Sequence, residues 1–207
     1  MDFFPDPPPP SDAEPDEGYQ PAWHGAPDDV LPGVVPVELV LGRSDSTVVL
    51  LTGVRAFPEG LAMSLGVRVR GPLPPGRDLH AEVFDGPYPH DAGEQWRAAR
   101  LKWGFEFSDG RRATNVDPPV WGPGDGRPWD DRTWRPDRPV LTGQGGGGSR
   151  RSVDRDQWLW PLPPPGRLRV VLQWPQQGIA TTTHDLDAQP FLDAAARARP
   201  VWDDPGR

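Results

Sequence analysis

Three tryptophans, Trp121, Trp129 and Trp134, stand among Arg127, Arg132, Arg135 and Arg138 in a stretch otherwise rich in Pro, Gly and Asp. A ring offers a large rigid contact area, and a guanidinium stacks on it or donates in a fork. Such pairs are typical of binding hot spots and of sugar or peptide platforms. Trp121, Trp129, Arg132, Trp134 and Arg135 are therefore the candidate binding residues. The competing reading is that this loop folds back and its rings cover an open edge of the domain.

The other chemistry-bearing residues carry less. A metal site needs three or four converging N or O ligands. His24, His80, His90 and His184 are scattered, and the densest group is His184, Asp185, Asp187. On a strand, His184 faces away from both aspartates, which fit better as helix N-terminal carboxylates. No metal ligands are assigned. Residues 143–148 read GQGGGG and satisfy G-x-G-x-x-G literally. A dinucleotide site also needs a strand before this motif and a helix directly behind it. SRRSVDRDQWLW follows instead, so the run reads as a flexible loop and no cofactor is expected. There is no G-x-S-x-G, H-E-x-x-H or P-loop pattern. The chain has no cysteine, which removes disulfides, thiolate nucleophiles and Cys-ligated metals. The 30 acidic residues leave a paired-carboxylate hydrolase, on a carbohydrate for example, as the alternative to a non-catalytic protein-binding module.

Charge narrows the partners. Residues 1–30 hold eight acidic side chains and no Lys or Arg, while the whole chain is at −8, so the remainder is neutral. A neutral body with an acidic tail lacks the basic patch that phosphate backbones and anionic membranes need. No apolar run reaches the roughly 20 residues of a membrane span. The start, MDFFPDPPPP, has neither a basic nor an apolar signal region, so the expected compartment is the cytoplasm. Lys102 is the one lysine against 21 arginines, and Ile179 and Asn115 are the one Ile and the one Asn. These depletions point to a GC-rich, bacterial genome, which also inflates Pro, Gly and Ala.

The elements that must position these residues are strands. Residues 61–69 alternate Leu61, Met63, Leu65, Val67, Val69 against Ala62, Ser64, Gly66, Arg68, and residues 47–57 form their hairpin partner across Pro58 and Gly60. Residues 35–41 predict a first strand, with Pro36 at an edge. Residues 81–84 predict a short strand. Leu101, Trp103, Phe105 and Phe107 share a face, and Asp109-Gly110 turns the chain into a return strand. Residues 159–179, LWPLPPPGRLRVVLQWPQQGI, predict a strand, a proline corner and a second strand with Leu168, Val170, Leu172 and Trp174 on its buried face. A strand over 179–183 and a helix over 187–199 complete the domain. Asp187 is the expected helix cap, with Pro190 in the first turn.

The fold expected is all-β: an immunoglobulin-like antiparallel sandwich with one C-terminal helix, with a jelly-roll or barrel as the alternative. Residues 1–32 are expected to be a disordered tail. Residues 33–202 form the domain, interrupted by a long Trp/Arg/Gly-rich loop over 117–157. The segments LLTGVRAFPEGLAMSLGVRVR, LKWGFEFSDGRRATN, LTGQGGGGS and WLWPLPPPGRLRVVLQWPQQGI resemble a family of uncharacterised actinobacterial proteins, over roughly residues 35–202. That resemblance implies a bacterial origin and brings no activity or site residues with it.

Overall fold

The computed structural model describes residues 20–71, 79–84, 99–120, 122 and 133–202. The chain enters through two short strands, β1 (Val30–Leu31) and β2 (Gly33–Val34), and then β3 (Leu39–Arg43). The central hairpin is β4 (Thr47–Ala56) and β5 (Leu61–Val69), in the register that the alternation predicts. A short helix, α1 (Leu79–Phe84), follows, then β6 (Lys102–Glu106) and β7 (Arg112–Thr114). Next come β8 (Val140–Ser149), β9 (Ser152–Trp160), β10 (Arg167–Trp174) and β11 (Ile179–Asp187). Helix α2 (Gln189–Ala195) and β12 (Arg199–Pro200) end the described chain.

The strands make two antiparallel sheets and a ribbon. The larger sheet has the order β2–β4–β5–β9–β8, with β3 also on β4, and the smaller has β11–β10–β6–β7. Counted from β4, these are the A–B–E–D and G–F–C–C′ orders of an immunoglobulin-like sandwich, with β2 and β3 added outside the first strand. No ladder joins the sheets among the described residues. At one corner β3 meets β11 through side chains: Thr182 Oγ1 donates to the Leu41 carbonyl, and a His184 ring nitrogen lies 3.0 Å from it. The ribbon pairs β1 with β12.

The alternating residues fill the space between the layers. Leu41, Val49, Leu51, Leu65 and Val67 from one sheet meet Trp103, Phe105, Leu168, Val170, Leu172 and Trp174 from the other. Phe191 and Ala194 of α2 close one end, where Gly33 lets the Ala194 backbone come so near that a Cβ would collide with it. Pro190 sits in the first turn of α2 as expected, but the cap position is Ala188 rather than Asp187, which ends β11 and whose carboxylate accepts the Gln189 N–H at 3.0 Å.

Four expectations change. Residues 79–84 are helical rather than a strand, because Leu79 and Val83 are the buried pair and their spacing of four is a helical one. The C-terminal helix is shorter than 187–199; its last residues instead pair with β1 as β12. The glycine run is strand, so of the expected loop over 117–157 only the part before Val140 and the two-residue turn Arg150–Arg151 lie outside β8 and β9. Glycine leaves no side-chain alternation to read, and pairing with β9 overrides its weak strand preference. Finally, residues 20–32 of the expected tail are packed structure. Trp23 is buried against the outer face of the larger sheet with Phe57, Ala62, Trp158 and Trp160. The Trp158 indole donates to the Ala22 carbonyl at 2.8 Å. Local composition could not supply that burial; residues some 136 positions away do. Residues 1–19 lie outside the described residues.

The solvent face of the smaller sheet carries a charge ladder. Glu106 accepts Arg112 at 2.6 Å and lies 3.5 and 3.6 Å from Arg167 and Arg169, while Arg169 pairs with Asp185 at 2.7 Å. The hydrogen bond from Arg169 holds the Asp185 carboxyl below its ordinary value of about 3.9. A depressed carboxylate contributes stability that is present above the unfolded value and lost as pH falls through the folded one. Asp185→Asn should therefore melt below the wild type at pH 6. The gap should close as pH is lowered from about 4, in thermal melts followed across that range.

Candidate functional site

Three polar side chains are buried among the described residues: Thr47, Gln177 and Gln157. The first two form a chain. Thr47 Oγ1 donates to Gln177 Oε1 at 2.8 Å, and Gln177 Nε2 donates to Glu82 Oε2 at 3.3 Å. Gln157 differs. It is 4% exposed, yet its side-chain amide has no hydrogen-bond partner among the described residues. The amide is not one of the fully buried unpartnered groups, so it is open to the space beside it rather than sealed from water.

The fold aims Gln157 into a cleft. On β9 it shares the inward face with Val153, Arg155 and Leu159; Met63 and Gly143 are its neighbours across the ladders. The cavity there is about 400 Å³, a size suited to a small ligand or a peptide side chain. It opens where β7, three residues long, faces the much longer β8. Its walls come from β8, β9, α1, the end of β6 and the segment after β7.

Each wall is held by its own hydrogen bonds. Asn115 Oδ1 accepts the Trp103 N–H at 2.8 Å and its Nδ2 donates to the Leu101 carbonyl at 3.0 Å, which pins the turn after β7 to β6. Asp117 accepts the Thr114 N–H at 2.7 Å and lies 3.8 Å from Arg138, whose other nitrogen donates to the Pro118 carbonyl. Arg155 Nη1 donates to the Val83 carbonyl at 2.7 Å and so ties α1 to β9. Gly143 is the residue under that guanidinium; a Cβ there would overlap it. Gln144 Nε2 donates to the His24 carbonyl at 2.7 Å, so the N-terminal segment forms part of the rim. Among the described residues, Arg100, Arg138 and Arg155 line the cleft with Glu82 and Asp117.

Of the residues expected to bind, Trp134 and Arg135 do not line this cleft. Trp121, Trp129 and Arg132 lie outside the described residues. Trp134 is partly buried and packs edge-on against Trp23, with ring centroids 4.9 Å apart; the Arg135 guanidinium sits 5.7 Å from the centre of the same Trp23 ring. These two side chains pack on the aromatic cluster of the outer sheet face. Among the described residues no cluster of His, Asp or Glu could hold a metal ion. No described helix is long and apolar enough to cross a membrane.

Gln157 was missed because DRDQWLW reads as an ordinary strand end. The signal was there: Val153, Arg155, Gln157 and Leu159 fall on one face, so two polar residues interrupt an apolar row.

Fold and cleft together define an antiparallel β-sandwich with a polar cleft between its layers and one long edge strand, β8, beside it. No protein-family model, curated protein or solved structure matches the chain.

Proposed function

We propose that the protein is a non-catalytic binding module whose partner-binding surface is the cleft between β8–β9 and β6–β7. The observation that carries this is Gln157, whose side chain hydrogen-bonds no described residue and lines a cavity of about 400 Å³. An amide that bonds no neighbour and lines a cleft can donate to and accept from a ligand that enters it.

The alternative, a hydrolase, needs two carboxylates facing one another across a substrate. The cleft has Glu82 and Asp117, but Asp117 is held by a backbone N–H and by Arg138, and Glu82 accepts from Gln177. Both act as wall supports, which favours binding over chemistry. The partner is taken to be a protein, because the neutral body offers no basic patch to nucleic acid or to an anionic membrane. The cytoplasm is the proposed setting.

The test is affinity capture from the native host with two baits, the wild type and Gln157→Met. The Met variant removes the amide while keeping the volume, so it should melt close to the wild-type temperature. A partner enriched by the wild type should be lost from the variant. A partner retained equally by both baits would show that the cleft is not the surface.

A further inference from the structure

We infer that the cleft takes an uncharged carboxamide, the Asn or Gln side chain of a partner protein, paired to the Gln157 amide. The inference rests on the binding-module reading and names the group that the cleft selects. Three observations carry it.

The first is that the ions of the cleft are engaged with the protein itself. Asp117 accepts the Thr114 N–H and faces Arg138, which also donates to the Pro118 carbonyl. Arg155 donates to the Val83 carbonyl, Glu82 accepts from Gln177, and Arg100 is not free either. A charged ligand entering among them would lose water without gaining an ion to pair with, and an unpaired buried charge is costly.

The second is Gln157. It hydrogen-bonds no described residue, and its amide is open to the cavity that it lines. A carboxamide carries N–H donors on one side and a carbonyl acceptor on the other. A second carboxamide meets it with one N–H···O=C bond in each direction. A carboxylate only accepts and an ammonium only donates, so either would satisfy one side of the amide and leave the other bare.

The third is the wall. Leu65, Val83, Leu101 and Trp103 are buried members of the core, and all four line the same cavity. They offer an apolar surface to a methylene stem, within a volume of about 400 Å³ that admits a side chain. The fitting group is therefore an aliphatic stem with a neutral head that both donates and accepts. Gln and Asn are the side chains that combine a stem with a planar head of that kind.

The probe is the tripeptide Ala-Gln-Ala, capped by acetyl and N-methylamide and titrated into the full-length, nitrogen-15-labelled chain. Two sets of resonances are read: the side-chain amide of Gln157 and the backbone amides of residues 141–143. The expected result is saturable movement of both sets. The same peptide with Glu, Lys or norleucine at the centre should bind at least about tenfold more weakly. In Gln157→Met the preference for Gln over norleucine should vanish. Equal or tighter binding of the Glu or Lys peptide to the wild type would overturn the inference. So would equal binding of the norleucine peptide, a preference that persists in Gln157→Met, or no movement at millimolar Gln peptide. If the peptides fail while a captured partner still discriminates Gln157→Met, the binding-module reading survives and only the carboxamide is lost. If neither discriminates, both fall.

Discussion

Trp174→Ala is expected to lower the unfolding free energy by about 3–5 kcal/mol, the range for deleting a large core aromatic. The ring is fully buried at the end of β10, on one face with Leu168, Val170 and Leu172, all equally inaccessible. Val170 pairs with Phe105 on one side and His184 on the other, so the row to which Trp174 belongs is the middle of the smaller sheet. Its indole N–H has no acceptor among the described residues. Trp174→Phe should therefore be much milder than Trp174→Ala, since it keeps most of the apolar volume and removes an unsatisfied donor. Urea melts of the two variants check this. An Ala variant that melts like the wild type would place the opposite face of β10, with Val171, inside.

Trp23→Ala is expected to lose about 3 kcal/mol, although this residue stands in a stretch whose composition reads as a solvated tail. Trp23 is 3% exposed, lies edge-on to Trp134 and Trp160, and carries the Arg135 guanidinium on its face. Removing it opens the outer sheet face over Trp158 and Trp160. Trp202→Ala is the control: that ring is 69% exposed, and its loss should change stability by less than about 0.5 kcal/mol. Thermal melts of both variants decide whether residues 20–31 are part of the folded unit. Two equally silent substitutions would mean that the segment is dispensable.

The contrast between Trp174 and Trp23 shows what the sequence carried. Trp174 sits in an unbroken period of two, and a strand that alternates in this way announces its own buried face. The same holds for β4, β5 and β6, and for the turn at Asp109 and Gly110, where Gly110 takes the positive φ that the turn requires. Trp23 has no such local signal. Its partners are Trp134 and Trp160, over a hundred positions away, and burial between segments so distant is a property of the fold rather than of the neighbourhood. The glycines of β8 were illegible for another reason: without side chains there is no pattern, only pairing. At the candidate site, the Trp/Arg loop drew the eye by residue type. The residue that stands out structurally is a single glutamine whose distinction is the absence of a bond, and that is visible only once the register of β9 is known.

The most direct test of the binding-cleft account is hydrogen exchange on the complex with a captured partner, read by mass spectrometry at peptide resolution. Binding at the cleft should slow exchange in β8 and in the segment around Asn115 and Asp117, and leave β11, at the far edge of the smaller sheet, unchanged. Protection confined to β11 or to the covering segment around Trp134, with β8 exchanging as freely as in the unbound protein, would contradict it.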